Sequence, residues 1–173
     1  TSSDISGLIG QYAHGNEPSH HVIHLYNYVN RPWRTQELVD SVYRSQYANS
    51  VDGLSGNEDC GQMSAWYIFN TMGFYPTAPS SNVYNLGSPG LPAVDMCMSN
   101  GKHIRVTTKN WSKKNVYVKE IYLNGEKYNK SYITYNDIKD GMDLHFVMSA
   151  RPNYKRGISD DAVPPSISEK KCK

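Results

Sequence analysis

The sequence predicts an α+β chain in which helices come first and antiparallel strands follow. Before about residue 80, apolar residues recur three and four positions apart, which places them on one face of a helix. After Pro79 the pattern changes to alternation, which is typical of half-buried strands. We therefore expect three segments: helices over 1–80, a β-rich segment over 81–153 and a loose polar tail over 154–173.

Three helices are predicted in the first segment, over about 16–29, 35–47 and 62–72. Pro18 is tolerated in a first helical turn, Thr35 can cap the second helix, and Gly73 suits the position after the third. The third helix is apolar around most of its circumference, which is typical of a helix enclosed by others. A chain this short cannot enclose it, so we expect a preceding segment of a larger protein to supply further helices.

The second segment predicts short strands over about 93–98, 104–107, 116–123, 126–128, 132–134 and 144–148. Asn124-Gly125 is the strongest turn signal, because both residues accept the positive φ of a type I′ hairpin. The chain becomes polar after Arg151, which predicts the tail.

Composition excludes several classes of protein. The net charge of +2 gives no cationic excess for binding nucleic acid. No apolar run approaches the ~18 residues of a membrane span. The three cysteines, Cys60, Cys97 and Cys172, lie too far apart for a disulfide scaffold or a C-x-x-C zinc site, and free thiols are the simplest interpretation.

A first polar cluster, HGNEPSHH, covers residues 14–21. His20 and His24 are four residues apart on the predicted helix, but the glutamate of an H-E-x-x-H zinc motif is absent between them. Asn16 and Glu17 offer the hard oxygen ligands that calcium prefers. Helix capping by Asn16, with Glu17 on the helix dipole, explains the same two residues without a metal.

A second cluster, GNEDCGQMSAWY, covers residues 56–67. One of the adjacent acids Glu58 and Asp59 can cap the following helix, but two acids with Asn57 and Gln62 exceed what capping needs. Such a group offers a general base for activating water and polar partners for sugar hydroxyls. Trp66 can stack on a sugar, although aromatic residues at helical spacing are more often core.

These two clusters, together with LYNY (25–28), PWRTQ (32–36) and GFYP (73–76), resemble glycoside hydrolase family 92, the calcium-dependent exo-acting α-mannosidases. The resemblance covers about residues 7–153. It implies that the first segment supplies the last helices of an (α/α)6 toroid, closed by the β-rich segment. It also implies hydrolysis that removes terminal mannose, with α-1,2 as the preferred linkage and with inversion at the anomeric carbon. In inverting enzymes the general acid and the general base lie ~6.5–9.5 Å apart.

The resemblance also implies roles for individual residues. Asp59 would be the general base, assisted by Glu58 or Asn57. The implied calcium ligands are Asn16 and Glu17, and the implied substrate contacts are His14, Glu17, Gln62 and Trp66. The general acid of the family lies in an upstream motif of the type Glu-Gly-Asn-x-Trp, which residues 1–14 lack.

We therefore expect this chain to be the C-terminal part of an exported α-mannosidase (secreted, periplasmic or at the cell surface), inactive without its N-terminal remainder and acting on a mannose-containing glycan. Two alternatives stay open. The chain can be a non-catalytic, calcium-dependent glycan-binding module, or a structural domain whose acids only cap helices.

Overall fold

The computed structural model describes residues 5–166, in which short strands and helices precede two β-sheets. The first part contains strands β1 (Leu8–Ile9) and β2 (Tyr12–Ala13), 3-10 helices Glu17–Ser19 and Val22–Val29, and helices α1 (Pro32–Gln46) and α2 (Gln62–Thr71). The second part contains strands β3 (Phe74–Tyr75), β4 (Val83–Leu86), β5 (Ala93–Cys97), β6 (His103–Lys109), β7 (Tyr117–Leu123), β8 (Glu126–Lys127) and β9 (Tyr132–Thr134), helix α3 (Tyr135–Ile138) and strand β10 (Met142–Ser149).

The first predicted helix is wrong in type, because residues 17–29 form two separate 3-10 helices. This segment is rich in Val, Ile, His, Asn and Tyr, all of which have low α-helical propensity. The tighter winding buries Ile23, His24 and Asn27. It ends at Asn30, whose left-handed conformation (φ 59°) turns the chain into α1.

The other two predicted helices are present, with one corrected boundary. Helix α1 begins at Pro32, whose fixed φ suits a first turn, rather than at Thr35. Thr35 lies inside the helix, where its hydroxyl donates to the Ile23 carbonyl oxygen (2.9 Å). Helix α2 begins at the predicted Gln62, and Gly73 follows its end with φ 87°. The two helices pack through one aromatic and aliphatic cluster: Ile23, Val39, Val42, Trp66 and Tyr75.

The β-rich part consists of a five-stranded sheet in the order β5-β6-β10-β7-β8 and a three-stranded sheet in the order β3-β4-β9. The predicted Asn124-Gly125 hairpin joins β7 to β8, and both turn residues have positive φ. The pairing is antiparallel except between β6 and β10, which run parallel. The predicted antiparallel β-rich segment is thus present, with one parallel pair at the centre of the larger sheet. Strand β10 buries every second residue there: Met142, Leu144, Phe146 and Met148.

The expected loose tail is packed over the part that the structure describes. Residues 150–166 contain no helix or strand, yet Arg156 and Ala162 are buried. The Ser131 amide donates to the Ala162 carbonyl oxygen (2.8 Å), which ties this segment to β9. The remaining predicted tail, residues 167–173, lies outside the described residues, as does Cys172. Cys60 and Cys97 are free and exposed.

Several apolar side chains on the helical part remain open to solvent. Val22, Leu25 and Val29 on the second 3-10 helix, and Tyr67 and Ile68 on α2, are between 38% and 60% exposed. None of the helices within residues 5–166 combines the length and apolarity needed to span a bilayer.

Candidate active site

Two loops approach each other closely and bring the two predicted clusters together. A Cβ atom on Gly15 would lie 2.7 Å from the Ser55 carbonyl oxygen, and one on Gly56 would lie 2.7 Å from the Gly15 carbonyl oxygen. Any larger residue at either position would separate the loops. The sequence thus uses glycine at both positions to hold the 14–21 segment against the loop before α2.

The backbone just before α2 is strained. Asp59, Cys60 and Gly61 have φ values of 50°, 60° and 89°, three successive residues in the left-handed region. Asp tolerates this region better than most residues, but Cys does not, and each non-glycine residue there costs roughly 1–2 kcal/mol. Strain of this kind is concentrated at functional sites. Here it positions the Asp59 carboxyl group at the start of the helix.

The Glu17 and Asp59 carboxyl groups lie close enough for Asp59 to perturb the ionisation of Glu17. A backbone hydrogen bond favours ionised Glu17, but desolvation, the hydrogen bond with Asp59 and repulsion by its charge outweigh it and raise the pKa of Glu17 above its usual value. Glu17 Oε1 is also buried without a hydrogen-bond partner. The pair therefore carries concentrated negative charge and an unused oxygen, which a proton or a cation can compensate.

Glu17 also borders an open hollow of about 500 Å³, together with Gln62 and Tyr75. The Gln62 amide nitrogen donates to the Tyr75 hydroxyl (3.1 Å) and to His20 Nδ1 (3.2 Å), so the side chain is fixed at the wall of the hollow. Both amide hydrogens are used in this way, which leaves the Gln62 carbonyl oxygen to accept a hydrogen bond. The hollow has the size and polarity for a sugar ring.

His14 was predicted to contact substrate, and that contact stays a prediction, because within the described residues its side chain is enclosed. The residue is fully buried, and its two ring nitrogens pair with the Tyr12 hydroxyl (2.8 Å) and the Tyr47 hydroxyl (2.7 Å). Tyr47 donates its hydrogen to the Met63 carbonyl oxygen, so His14 Nε2 is the donor to Tyr47. Burial, with a smaller effect of His20, lowers the pKa of His14 to about 3. His14 therefore supports the site as a neutral scaffold residue.

Trp66 is packed in the core of the described residues, and its predicted substrate contact stays a prediction. Its side chain is fully buried, and Nε1 donates to the His20 carbonyl oxygen (3.2 Å). Its ring stacks on Tyr47 with an interplanar angle of 4° and meets His14 edge-on. Polypeptide outside this chain could only bury Trp66 further. Trp66 therefore holds His14 by ring packing and His20 by a hydrogen bond to its backbone.

Glu58 caps α2, as the alternative interpretation of the acid pair suggested. Its carboxylate oxygens accept hydrogen bonds from the Ser64 amide and the Ser64 hydroxyl, both 2.9 Å long. Asn57 is exposed beside it. The assistance of Asp59 by Glu58 or Asn57 stays a prediction, and capping already accounts for Glu58.

The capping role considered for Asn16 is absent, since its side chain makes no cap hydrogen bond to the 3-10 helix that follows. Its amide oxygen is thus available beside Glu17. Within residues 5–166 no three His, Cys, Asp or Glu side chains form a metal site. Asn16, Glu17 and Asp59 together supply fewer than the six to eight oxygens that calcium takes. They fit one side of a calcium site, whose other ligands would be substrate, water or residues outside this chain.

Sequence reasoning missed Tyr75 and the role of His20. His20 donates from Nε2 to the His14 carbonyl oxygen (2.9 Å) and accepts a hydrogen bond from Gln62. It therefore connects the buried residue His14 to the wall of the hollow. Tyr75 was noted only within the GFYP motif. The position of that motif directly after α2, on the strand that lines the hollow, was its available signal.

The family model for the glycosyl hydrolase family 92 catalytic domain matches residues 1–150. The chain therefore belongs to this family of glycoside hydrolases.

Solved structures agree with this assignment. A family GH92 α-mannosidase from Bacteroides thetaiotaomicron, determined in complex with mannoimidazole, is 62% identical with a TM-score of 0.93 over 95% of this chain. A family GH92 inverting mannosidase from the same species is 38% identical with a TM-score of 0.86 over 92% of the chain. This chain spans 22% of the length of each of them. An uncharacterized secreted glycosidase of Arthroderma benhamiae is 31% identical over 88% of this chain and 20% of its own length.

Proposed function

We propose that this chain forms part of the active site of an inverting α-mannosidase that removes terminal mannose from glycans, with preference for α-1,2 linkages. The observation that carries the proposal is the contact between Glu17 and Asp59 beside a polar hollow. It is supported by family membership and by the relatives described as α-mannosidases, one of them as inverting.

Asp59 acts as the general base in this proposal. Its carboxylate removes a proton from a water molecule that attacks the anomeric carbon from the face opposite the leaving group. The left-handed backbone at Asp59 sets the direction in which its side chain leaves the loop. Gln62, held by Tyr75 and His20, accepts a hydrogen bond from a sugar hydroxyl through its carbonyl oxygen.

Calcium is the proposed cofactor, held by Asn16 and Glu17 with Asp59 close by. Bound there, the ion would supply positive charge for orienting two sugar hydroxyls and favouring a distorted ring. The residues themselves support this assignment, since Glu17 has a buried oxygen without a partner and a repelling neighbour. The general acid is not assigned to any residue of this chain.

We further propose that an upstream segment of the same protein completes the site and the (α/α)6 toroid. Chain coverage supports this, because this chain spans only 22% of the length of each of these relatives. The exposed apolar side chains on α2 and the second 3-10 helix give it a surface to pack against. The secreted relative favours an exported protein.

The experiment compares the whole protein with its Asp59→Asn and Asp52→Asn variants on α-1,2-linked mannobiose. Asp59→Asn is expected to lower kcat by roughly 10²–10⁴-fold, the usual contribution of a general base. Asp52 is exposed in the same loop, so Asp52→Asn is the matched control and should keep full activity. NMR of the first product should detect β-mannose, and a chelator should abolish turnover. Activity within tenfold of wild type in Asp59→Asn would reject the base, while α-mannose as first product would reject inversion.

A further inference from the structure

Arg156 is a buried cation without an acidic partner. Only 6% of the residue is exposed. Its Nη2 donates to the Lys130 carbonyl oxygen (2.8 Å), whereas its Nε is buried and has no hydrogen-bond partner. Across residues 5–166 no carboxylate lies within ion-pair distance of this guanidinium group.

The charge of Arg156 persists in this environment. Desolvation, only partly offset by Tyr128, lowers the pKa of Arg156 to about 10, so the group is still protonated at neutral pH. A buried, unpaired charge of this kind costs several kcal/mol, and proteins ordinarily compensate it with a counter-charge. One carbonyl oxygen does not provide that counter-charge.

Three lysines surround the pocket that Arg156 lines. Lys119, Lys127 and Lys155 border a hollow of about 170 Å³, and Glu120, the one acid there, lies 3.8 Å from Lys127. The pocket therefore has a formal charge of +3, although the whole chain has only +2. Its sides otherwise consist of polar or neutral residues.

Hydrogen bonds hold the two walls of this pocket together. The Asn153 side chain donates to the Lys119 carbonyl oxygen (3.0 Å) and accepts from the Lys155 amide (3.1 Å). The Tyr128 amide donates to the Ile121 carbonyl oxygen (2.8 Å), which fixes the β7–β8 hairpin on the other side. The backbone that carries the cationic side chains is thus held in place by hydrogen bonds. Binding of a ligand in the pocket would therefore require little backbone ordering.

We propose that this pocket binds a small tetrahedral oxyanion, phosphate or sulfate, either free or as an ester on a glycan. The volume equals that of five or six water molecules at ~30 Å³ each, which suits a group of this size. The Arg156 guanidinium group supplies a fixed positive charge at the pocket wall, and the lysines add point charges around the anion. This proposal is independent of the active site, since none of the pocket residues borders the hollow at Glu17.

The test is isothermal titration of the purified protein with inorganic phosphate, sulfate and mannose 6-phosphate at constant ionic strength. We expect saturable binding of one anion per chain. Arg156→Gln should weaken it by roughly ten- to a hundredfold, the effect of losing a hydrogen bond to a charged group. Lys155→Ala should weaken it about two- to fivefold, and Lys114→Ala, which alters an exposed lysine outside the pocket, should leave it unchanged.

If Arg156→Gln does not fold, the Lys127→Ala/Lys155→Ala double variant replaces it, because both lysines are exposed. Tighter binding of mannose 6-phosphate than of phosphate would identify an ester as the ligand, and equal or weaker binding would identify the free anion. Absence of saturation with all three compounds, or equal affinity in the double variant and wild type, would overturn the proposal. Neither result depends on mannosidase activity.

Discussion

Glu17 and Asp59 come from separate loops, yet their carboxyl groups lie close enough for Asp59 to raise the pKa of Glu17. The close packing of Gly15 against Gly56 makes this approach possible, and the left-handed turn at Asp59 aims the second carboxyl group. Two acids held together in this way oppose folding unless a proton or a cation compensates them. The pairing of Glu17 with Asp59 therefore lowers the free energy of unfolding.

Asp59→Asn is expected to stabilise the calcium-free protein. It removes one repelling charge, and Asn tolerates a positive φ as well as Asp does. We expect a gain of about 0.5–1 kcal/mol, or roughly 1–4 °C in Tm for a domain of this size. Calorimetry in chelator measures the change, and added calcium should stabilise the wild type more than the variant.

The pH dependence of this gain follows from the raised pKa of Glu17. The folded protein retains a proton on Glu17 at pH values where the unfolded chain has lost it, so stability falls as pH rises above about 4.5. The advantage of Asp59→Asn should therefore grow above that pH and vanish below it. Asp52→Asn serves as the control, and a similar gain in that variant would contradict the explanation.

Glu58→Ala should destabilise the protein by about 1 kcal/mol through loss of a helix cap. Its carboxylate is the acceptor for both the amide and the hydroxyl of Ser64, and urea unfolding measures the loss. A double-mutant cycle with Ser64→Ala should show positive coupling, because the hydroxyl contact disappears in either single variant. Additive effects of the two substitutions would rule out the hydroxyl contact, and an unchanged free energy of unfolding in Glu58→Ala would rule out the cap.

Buried histidines predict loss of stability in mild acid. Burial lowers the pKa values of His14 and His24 to about 3, whereas the unfolded chain titrates near 6.5. The unfolded state then binds more protons, so stability is complete above pH 6.5 and is lost as pH falls toward 3. Each residue should contribute roughly 2 kcal/mol of loss between pH 7 and pH 5.

His24→Phe provides the measurement for one of them. The His24 ring stacks on Tyr75 at 5.1 Å, neither ring nitrogen has a hydrogen-bond partner, and Asn70 only partly opposes the fall in pKa. The variant should keep the stack and reduce the slope of stability against pH by about one proton. An unchanged slope between pH 7 and pH 5 would show that His24 is protonated in the folded protein.

Sequence patterns predicted those parts of the fold that depend on local rules. Helix α2 begins where the pattern indicated because Gly61 precedes it and Gly73 follows it, and the Asn124-Gly125 turn has the expected positive φ values. The parallel pairing of β6 with β10 could not be predicted, since it depends on which strands meet in space. The strand β4 was missed because its Asn85 side chain is buried and breaks the alternation.

In the candidate site, too, local patterns could be predicted from the sequence, whereas contacts between distant residues could not. Glycine-flanked loops rich in acids indicated where Glu17 and Asp59 lie, but not that they touch. His14 and Trp66 were assigned to substrate through the family resemblance, which carries no information about their burial. The burial of His14 depends on Tyr12 and Tyr47, which come from separate parts of the chain, so the sequence pattern could not predict it.

The position of β10 also determines when this chain can fold during synthesis. This last strand lies between β6 and β7, so the sheet has a gap at its centre until residues 142–149 are made. A nascent chain that has left the ribosome only as far as β9 would hold two unjoined hairpins with open edges. Strand-by-strand assembly of the five-stranded sheet is therefore impossible, because its two hairpins join only through β10, whereas the β3-β4-β9 sheet does not include that strand.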